Sequence, residues 1–263
     1  MRQFVLAAAL TAAVAPSSPG QTLAQRVLRA DGIVEVIYPS KPSVCGDGRG
    51  TISGLFGRSM YFSGAGGGDN AVWNRGNASN RSCEPGPARA VVSVSSGEIT
   101  RIRAYVGPRP ADTRGVTTIE TSAAEAAAWL TDLVARNESR VASDAMLPLL
   151  LANAPEPWPT FLRVARDSSR SRGIRHAALG WLGQGVSARL GIADSEDDTP
   201  DDEMRSQAVF VLSQRPKGES VPDLIELARS PKHPSARRAA IFWLGQTGDP
   251  RAADVFADLL GLR

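Results

Sequence analysis

Three ten-residue stretches decide the fold: RHAALGWLGQ at 175–184, RSQAVFVLSQ at 205–214 and RRAAIFWLGQ at 237–246, aligned without gaps at offsets of 30 and 32 residues. A fixed period of this length marks stacked helical units, none of which buries its apolar face alone. Ile174, Ala178, Trp181 and Leu182 recur as Met204, Ala208, Val211 and Leu212, and again as Ala236, Ala240, Trp243 and Leu244. That i, i+4, i+7, i+8 spacing is one stripe of an amphipathic helix, so the stripe is expected to be core in all three copies. A second helix is expected after each first one, at Ser187 to Asp194, Pro222 to Arg229 and Pro250 to Leu260. The last of these opens with Asp249 as N-cap and Pro250 as first helical residue. Arg175, Arg205 and Arg237 share one column and are expected to form a ladder between repeats.

A weaker copy lies upstream. Asp144 to Asn153 takes the register of a first helix, and Trp158 to Asp167 matches Val221 to Ser230, with Ala165 and Arg166 in the places of Ala228 and Arg229. The array then occupies residues 140–263, preceded by an alanine-rich connecting helix, 122–139, that starts at Ser122 with Glu125 placed for a capping box.

The R-x-x-A-x-x-x-L-G-Q helix, the G-D-P-R-A turn at Gly248 to Ala252 and the 30-residue period resemble bacterial HEAT repeats of the short, phycobilisome-lyase type. The resemblance covers nearly half of the chain and implies a C-terminal α-solenoid of about four HEAT-like helical hairpins. It implies no single activity, because that family places adaptors, chromophore lyases and metal-dependent hydroxylases on one scaffold. The whole chain is also similar to a bacterial exported group that couples such repeats to an N-terminal domain carrying a V-C-G-D-G element, here Val44 to Gly48.

Ahead of residue 122 the pattern changes to strands. Gly32 to Tyr38 alternates around Val34, Val36 and Tyr38, Arg89 to Ser95 and Glu98 to Val106 flank Ser96-Gly97 as a hairpin, and Thr117 to Thr121 is β-branched. The fold class is therefore α+β: a small, mainly antiparallel β-rich domain at 21–121, then the helices. Residues 63–88, with a glycine run from Gly64 to Asp69, read as a long loop.

The N-terminus reads as an export signal, residues 1–20: Arg2 precedes an apolar run from Phe4 to Val14 that is too short to span a bilayer. Cys45 and Cys83 are the only cysteines, and an even number in an exported chain points to one disulfide. An extracytoplasmic location, in the periplasm or secreted, follows, with no membrane span after signal removal. The net charge of +3 is small, and arginine dominates lysine, which occurs only at Lys41, Lys217 and Lys232. No clustered basic stripe speaks for nucleic acid.

Signals for chemistry are mostly negative. The glycine run lacks a G-K-[ST] continuation, and no G-x-S-x-G or S-x-x-K occurs. His176 sits in a column shared with Ser206 and Arg238 and is expected to face solvent, while His233 lies in a turn. The hydroxylases of the resembling family use paired His-Glu motifs, and none is present. Asp194 to Glu203 holds seven carboxylates in ten residues without calcium-loop spacing. No catalytic, cofactor or metal residue is assigned. The expected working surface is the repeat face, with Gln184, Gln214 and Gln246 as a column and Trp181 and Trp243 on the stripe edge. The function expected is a non-catalytic protein-protein interaction or scaffold module binding a protein partner. The alternatives are an enzyme of the lyase or hydroxylase type on the same scaffold, and small-ligand or glycan binding by the β-rich domain.

Overall fold

Two residues of left-handed backbone set the first sheet. Ser96 (φ 55°) and Gly97 (φ 77°) make the turn that joins β7 (Ala88–Ser95) to β8 (Glu98–Val106), because this twist matches that of paired strands. The computed structural model describes residues 20–262 except 57, 63–70, 74–82, 110, 112 and 193–198. The expected export signal up to residue 19, most of the glycine-rich loop and half of the acidic run therefore lie outside the described residues.

The hairpin pairs with β1 (Gly32–Tyr38), and β9 (Val116–Glu120) closes the sheet in the order β8-β7-β1-β9. All pairings are antiparallel except β1 with β9, which is parallel. Alternation then works as the sequence predicts: Val34, Val36 and Tyr38 are buried beside Ala90, Val92 and Ile102. A second, antiparallel sheet holds β2 (Cys45–Gly46), β3 (Thr51–Leu55), β4 (Arg58–Phe62), β5 (Ala71–Trp73) and β6 (Glu84–Pro85), ordered β5-β4-β3-β2-β6. The Cys45–Cys83 disulfide, with Cα atoms 5.2 Å apart, ties β2 to the start of β6.

The V-C-G-D-G element has a packing reason. A Cβ on Gly46 would come within 2.4 Å of the Val106 carbonyl oxygen, and one on Gly48 (φ 72°) within 1.8 Å of that of Pro108. Only glycine lets this segment lie against the end of β8. Between them, Asp47 accepts the N–H groups of Arg49, Gly50 and Thr51, each at 2.9 Å.

Helices cover the buried face of the first sheet. α1 (Leu23–Arg29) opens with a capping box between Thr22 and Gln25. α2 (Ala123–Arg136) is capped by the Ser122 hydroxyl on the Glu125 N–H. The reciprocal half of the expected box is missing because the Glu125 carboxylate takes the Thr121 hydroxyl and Arg26 of α1 instead. α3 (Val141–Asp144) and α4 (Met146–Leu151) follow, and the buried Tyr38 hydroxyl donates to the Pro148 carbonyl at 2.8 Å. Arg170 caps the C-terminal end of α2, donating to the carbonyls of Val134, Ala135 and Asn137 at 3.1, 2.5 and 2.7 Å. One apolar cluster runs without a break from Leu23 to Leu260.

The remaining helices are α5 (Trp158–Arg166), α6 (Arg172–Arg189), α7 (Pro200–Ser213), α8 (Lys217–Arg229), α9 (Pro234–Thr247) and α10 (Pro250–Leu260). The last has the expected bounds, with Gly248 (φ 65°) ending α9 and the Asp249 side chain accepting from the Arg251 N–H. α8 starts earlier than Pro222, which lies inside it. After α6 no separate second helix starts at Ser187 among the described residues: α6 runs on as one helix of 18 residues through Ser187 to Arg189, since nothing between Gln184 and Ser187 breaks it. Its place beneath α6 is taken by α10, whose Phe256 ring would lie 3.5 Å from a Cβ on Gly183.

That substitution reorders the stack. α6 packs on α9 and α9 on α7, while α6 and α7 are not packed on each other; beneath them run α5, α10 and α8. The hairpin α9–α10, last in sequence, is thus central, and α7–α8 is the edge. The stripe expected to be core in three copies is core in two. Ile174, Ala178 and Leu182 are buried, as are Ala236, Ala240 and Leu244. In α7 only Val209 is buried, and Met204 and Val211 are 70% and 60% exposed, because no helix among the described residues covers that side.

Candidate interaction surface

The outer faces of α6, α9 and α7 form one layer, and its geometry follows from side-chain size. A Cβ on Gly245 of α9 would sit 3.3 Å from the Leu179 carbonyl oxygen and 3.5 Å from the Gly180 Cα, so glycines let α6 and α9 approach closely. At their ends the His176 Nε2–H donates to the Gln246 carbonyl at 3.0 Å. His176 is therefore half-buried and bonded, not free in solvent as its column suggests.

Between α9 and α7 the contact is aromatic. Trp243 lies 5.1 Å from Phe210 and 5.0 Å from Phe242, the latter edge-on at 83°. Phe242 keeps 39% of its surface in water. The Thr199 and Ser235 hydroxyls hold the Asp202 carboxyl down at about 2, and the Ser235 bond, 2.8 Å long, pins the start of α7 to that of α9.

The residues expected to bind a partner are spread along this layer. Trp181 and Gln184 are half-buried on α6, Trp243 is half-buried and Gln246 exposed on α9, and Gln214 is exposed as the C-cap of α7. The glutamines do not act alike: the Gln246 backbone serves His176, and the Gln214 side chain donates to the Ser213 hydroxyl at 3.2 Å. Sequence reading did not single out Phe210 and Phe242, although their offset of 32 residues places them in one column.

The arginine column has a different job from a ladder. The Arg237 Nε donates to the Ala228 carbonyl at 2.8 Å, at the end of the preceding helix α8. Arg175 lies near Asp167, the C-cap of α5, whose carboxyl is drawn down by the Ser169 hydroxyl first and by Arg175 among the charges around it. Arg205 has no such helix before it among the described residues and pairs with Asp202 and Asp201 of its own helix, at 3.2 and 3.7 Å. Of the three, Arg237 closes a helix end through a bond, and no bond joins the three to one another among the described residues.

A second polar cluster lies on the other face of the first sheet. The buried Glu35 carboxylate pairs with Arg89 at 2.7 Å and Arg109 at 2.5 Å, Arg89 also donates to the Gly48 carbonyl at 2.7 Å, and its guanidinium lies 5.4 Å from the Tyr105 ring centre. Arg89 and Glu35 are closed off from solvent, so this cluster fastens the 46–50 and 106–109 segments to the sheet. An open cleft of about 460 Å³ is lined by Ile37, Tyr38, Ser40, Gly86, Glu120 and Thr121, and the Ser40 hydroxyl in it is spent on the Gly86 carbonyl at 2.7 Å. Among the described residues no group of three or more His, Cys, Asp or Glu side chains is arranged to hold a metal, and no helix is long and apolar enough to cross a membrane.

Residues 193–262, which contain α7 to α10, match the family of HEAT repeats. HEAT repeats are generally scaffolds for protein interaction, in keeping with a surface built of stacked helices and aromatic side chains. No curated protein matches the chain. No solved structure matches it either.

Proposed function

We propose that this chain is an exported, non-catalytic interaction module of the bacterial cell envelope that holds a protein partner on the α6–α9–α7 face. The observation that carries the reading is the aromatic group Phe210, Phe242 and Trp243: the Phe242 ring, left 39% in water edge-on to a Trp243 that itself packs on Phe210, is an anchor of the kind that concentrates binding energy. Trp181, Gln184, Gln214 and Gln246 flank it as rim contacts, and the phycobilisome-lyase-type repeats serve as framework. The disulfide supports an oxidising compartment, in line with a signal peptide at 1–20. In this reading 21–121 is the β-rich domain, 122–139 its junction and 140–263 the working array.

The test is crosslinking and mass spectrometry in the native cell, with the full chain and with Phe242→Ala and Gln184→Ala. Both sites are partly solvent-exposed, so folding should survive. A specific partner whose recovery falls at least about tenfold with Phe242→Ala supports the reading, in line with an anchor residue. Recovery unchanged in both variants, or stoichiometric metal or pigment on the purified protein, overturns it.

A further inference from the structure

We infer that the α7 face carrying Met204, Ala208 and Val211 is the seam of an antiparallel pair formed with a second copy of this chain. The inference concerns the edge of the array and stands apart from the partner face proposed above.

The first support is the repeat itself. Ile174, Ala178 and Trp181 on α6, and Ala236, Ala240 and Trp243 on α9, occupy the same three positions and are buried or half-buried by neighbouring helices. Their counterparts Met204, Ala208 and Val211 are all exposed. A terminal repeat ordinarily carries a polar outer face. This one carries the apolar residues that a further helix covers elsewhere in the same array.

The second support is a near-palindrome. In an antiparallel pair whose axis passes between Gln207 and Ala208, Met204 of one helix faces the partner's Val211, and the reverse. Ala208, the smallest of the three, then stands beside the two-fold axis, where the helices come closest. The same register places Asp201, exposed at the start of α7, opposite the partner's Gln214 and one residue from its Arg215, just past the helix end. Arg215 already holds Glu219 at 2.7 Å and Asp223 at 3.4 Å within its own chain, and its half-exposed guanidinium has donors for a third carboxylate.

The third support is closure. The opposite end of the layer, α6, packs against α3, so among the described residues α7 is the array end left open to a second copy. An interface of one patch with itself is a closed dimer and not a fibre. A helix of 14 residues offers a seam about 21 Å long. Such a seam lies at the small end of specific interfaces, so the dimer should be reversible, dissociating at about micromolar concentration.

Sedimentation velocity on the full chain from about 1 to about 100 µM, a range that brackets such an affinity, tests this. A monomer-dimer equilibrium is expected. Met204→Glu and Val211→Glu should each weaken it at least about tenfold, as buried charge does at a small interface, with helical circular dichroism unchanged because both side chains already face water. Asp201→Arg should weaken it and Asp201→Arg with Arg215→Asp should restore it. Ala208→Cys should give a disulfide-linked dimer in a glutathione buffer. A monomer at every concentration overturns the inference, whether another segment of this chain or a different protein covers the face, and so does a dimer that Met204→Glu leaves intact.

Discussion

The Trp158 ring of α5 lies against the bare backbone of Gly185 in α6, so close that a Cβ there would come within 2.7 Å of its Cη2 atom. Phe56, held in left-handed backbone (φ 57°) at the end of β3, approaches the same ring from the β-rich side at 5.8 Å. Strand turn, helix start and helix end therefore meet at one indole.

Three glycines in α6 should respond differently to alanine. Gly180 has no atom nearer than the Gln246 Nε2 at 4.0 Å, so Gly180→Ala should stabilise by up to about 1 kcal/mol through helix propensity. At Gly183 the nearest contacts are 3.4 Å and 3.5 Å, ordinary packing, and the change should be close to neutral. Gly185→Ala should destabilise by about 1 to 3 kcal/mol, because the indole must shift in a filled core. Denaturant midpoints for the three variants check the ranking. An equal response at 180 and 185 would refute the placement of Trp158.

The Glu35 and Arg89 pair gives a second prediction. Arg89→Met leaves a buried carboxylate with Arg109 alone, and the loss of one member of a buried pair costs about 3 to 5 kcal/mol. Glu35→Leu combined with Arg89→Met removes both charges and should cost clearly less than the sum of the single changes. A double-mutant cycle by chemical denaturation measures the difference, and simple additivity would argue against a coupled pair.

Legibility in the sequence tracked how local each signal was. The strand at Gly32 to Tyr38, the Ser96-Gly97 hairpin, the Ser122 cap and the bounds of α10 depend on neighbours within a few residues, and each is found. The order of the helices is not local. A repeat alignment assumes that neighbours in sequence are neighbours in space. The uninterrupted α6 breaks that assumption by leaving a place that α10 fills, which moves α7 to the edge and turns Met204 and Val211 outward. Arg89, Arg109 and Arg170 were equally invisible as a class, since their partners are a carboxylate 54 residues away in sequence for Arg89 and helix-end carbonyls up to 36 away for Arg170. On the candidate surface the two tryptophans were visible by period, while Phe210 and Phe242 gained meaning only when α7 and α9 came together.

The disulfide should matter to the β-rich part above all. Cys45 and Cys83 are separated by 38 residues, and closing such a loop restricts the unfolded chain by about 4 kcal/mol, an upper figure in this entropic account. Cys45→Ala with Cys83→Ala should lower stability by about 2 to 4 kcal/mol, and the reduced wild-type protein should match the variant. Thermal unfolding with and without reductant checks it. No change on reduction would mean that the bridge carries no stability.

Asp47 gives the pH prediction. Burial opposes its ionisation, and the N–H groups of Gly50, Thr51 and Arg49 outweigh that, holding its pKa at about 2 against an ordinary value near about 4. A folded-state pKa below the unfolded one means that the carboxylate stabilises the fold above about pH 4, and that this contribution is lost as pH falls toward about 2. The full shift corresponds to about 2 to 3 kcal/mol; Asp47 is only partly shielded from water, which reduces this to about 1 kcal/mol. Asp47→Asn keeps the shape and removes the charge. Urea unfolding of both proteins at pH 7, 4 and 2 should show a difference of about 1 kcal/mol at neutral pH that shrinks toward zero at the acid end. The same difference at all three pH values would place the benefit of Asp47 in its shape and not in its charge.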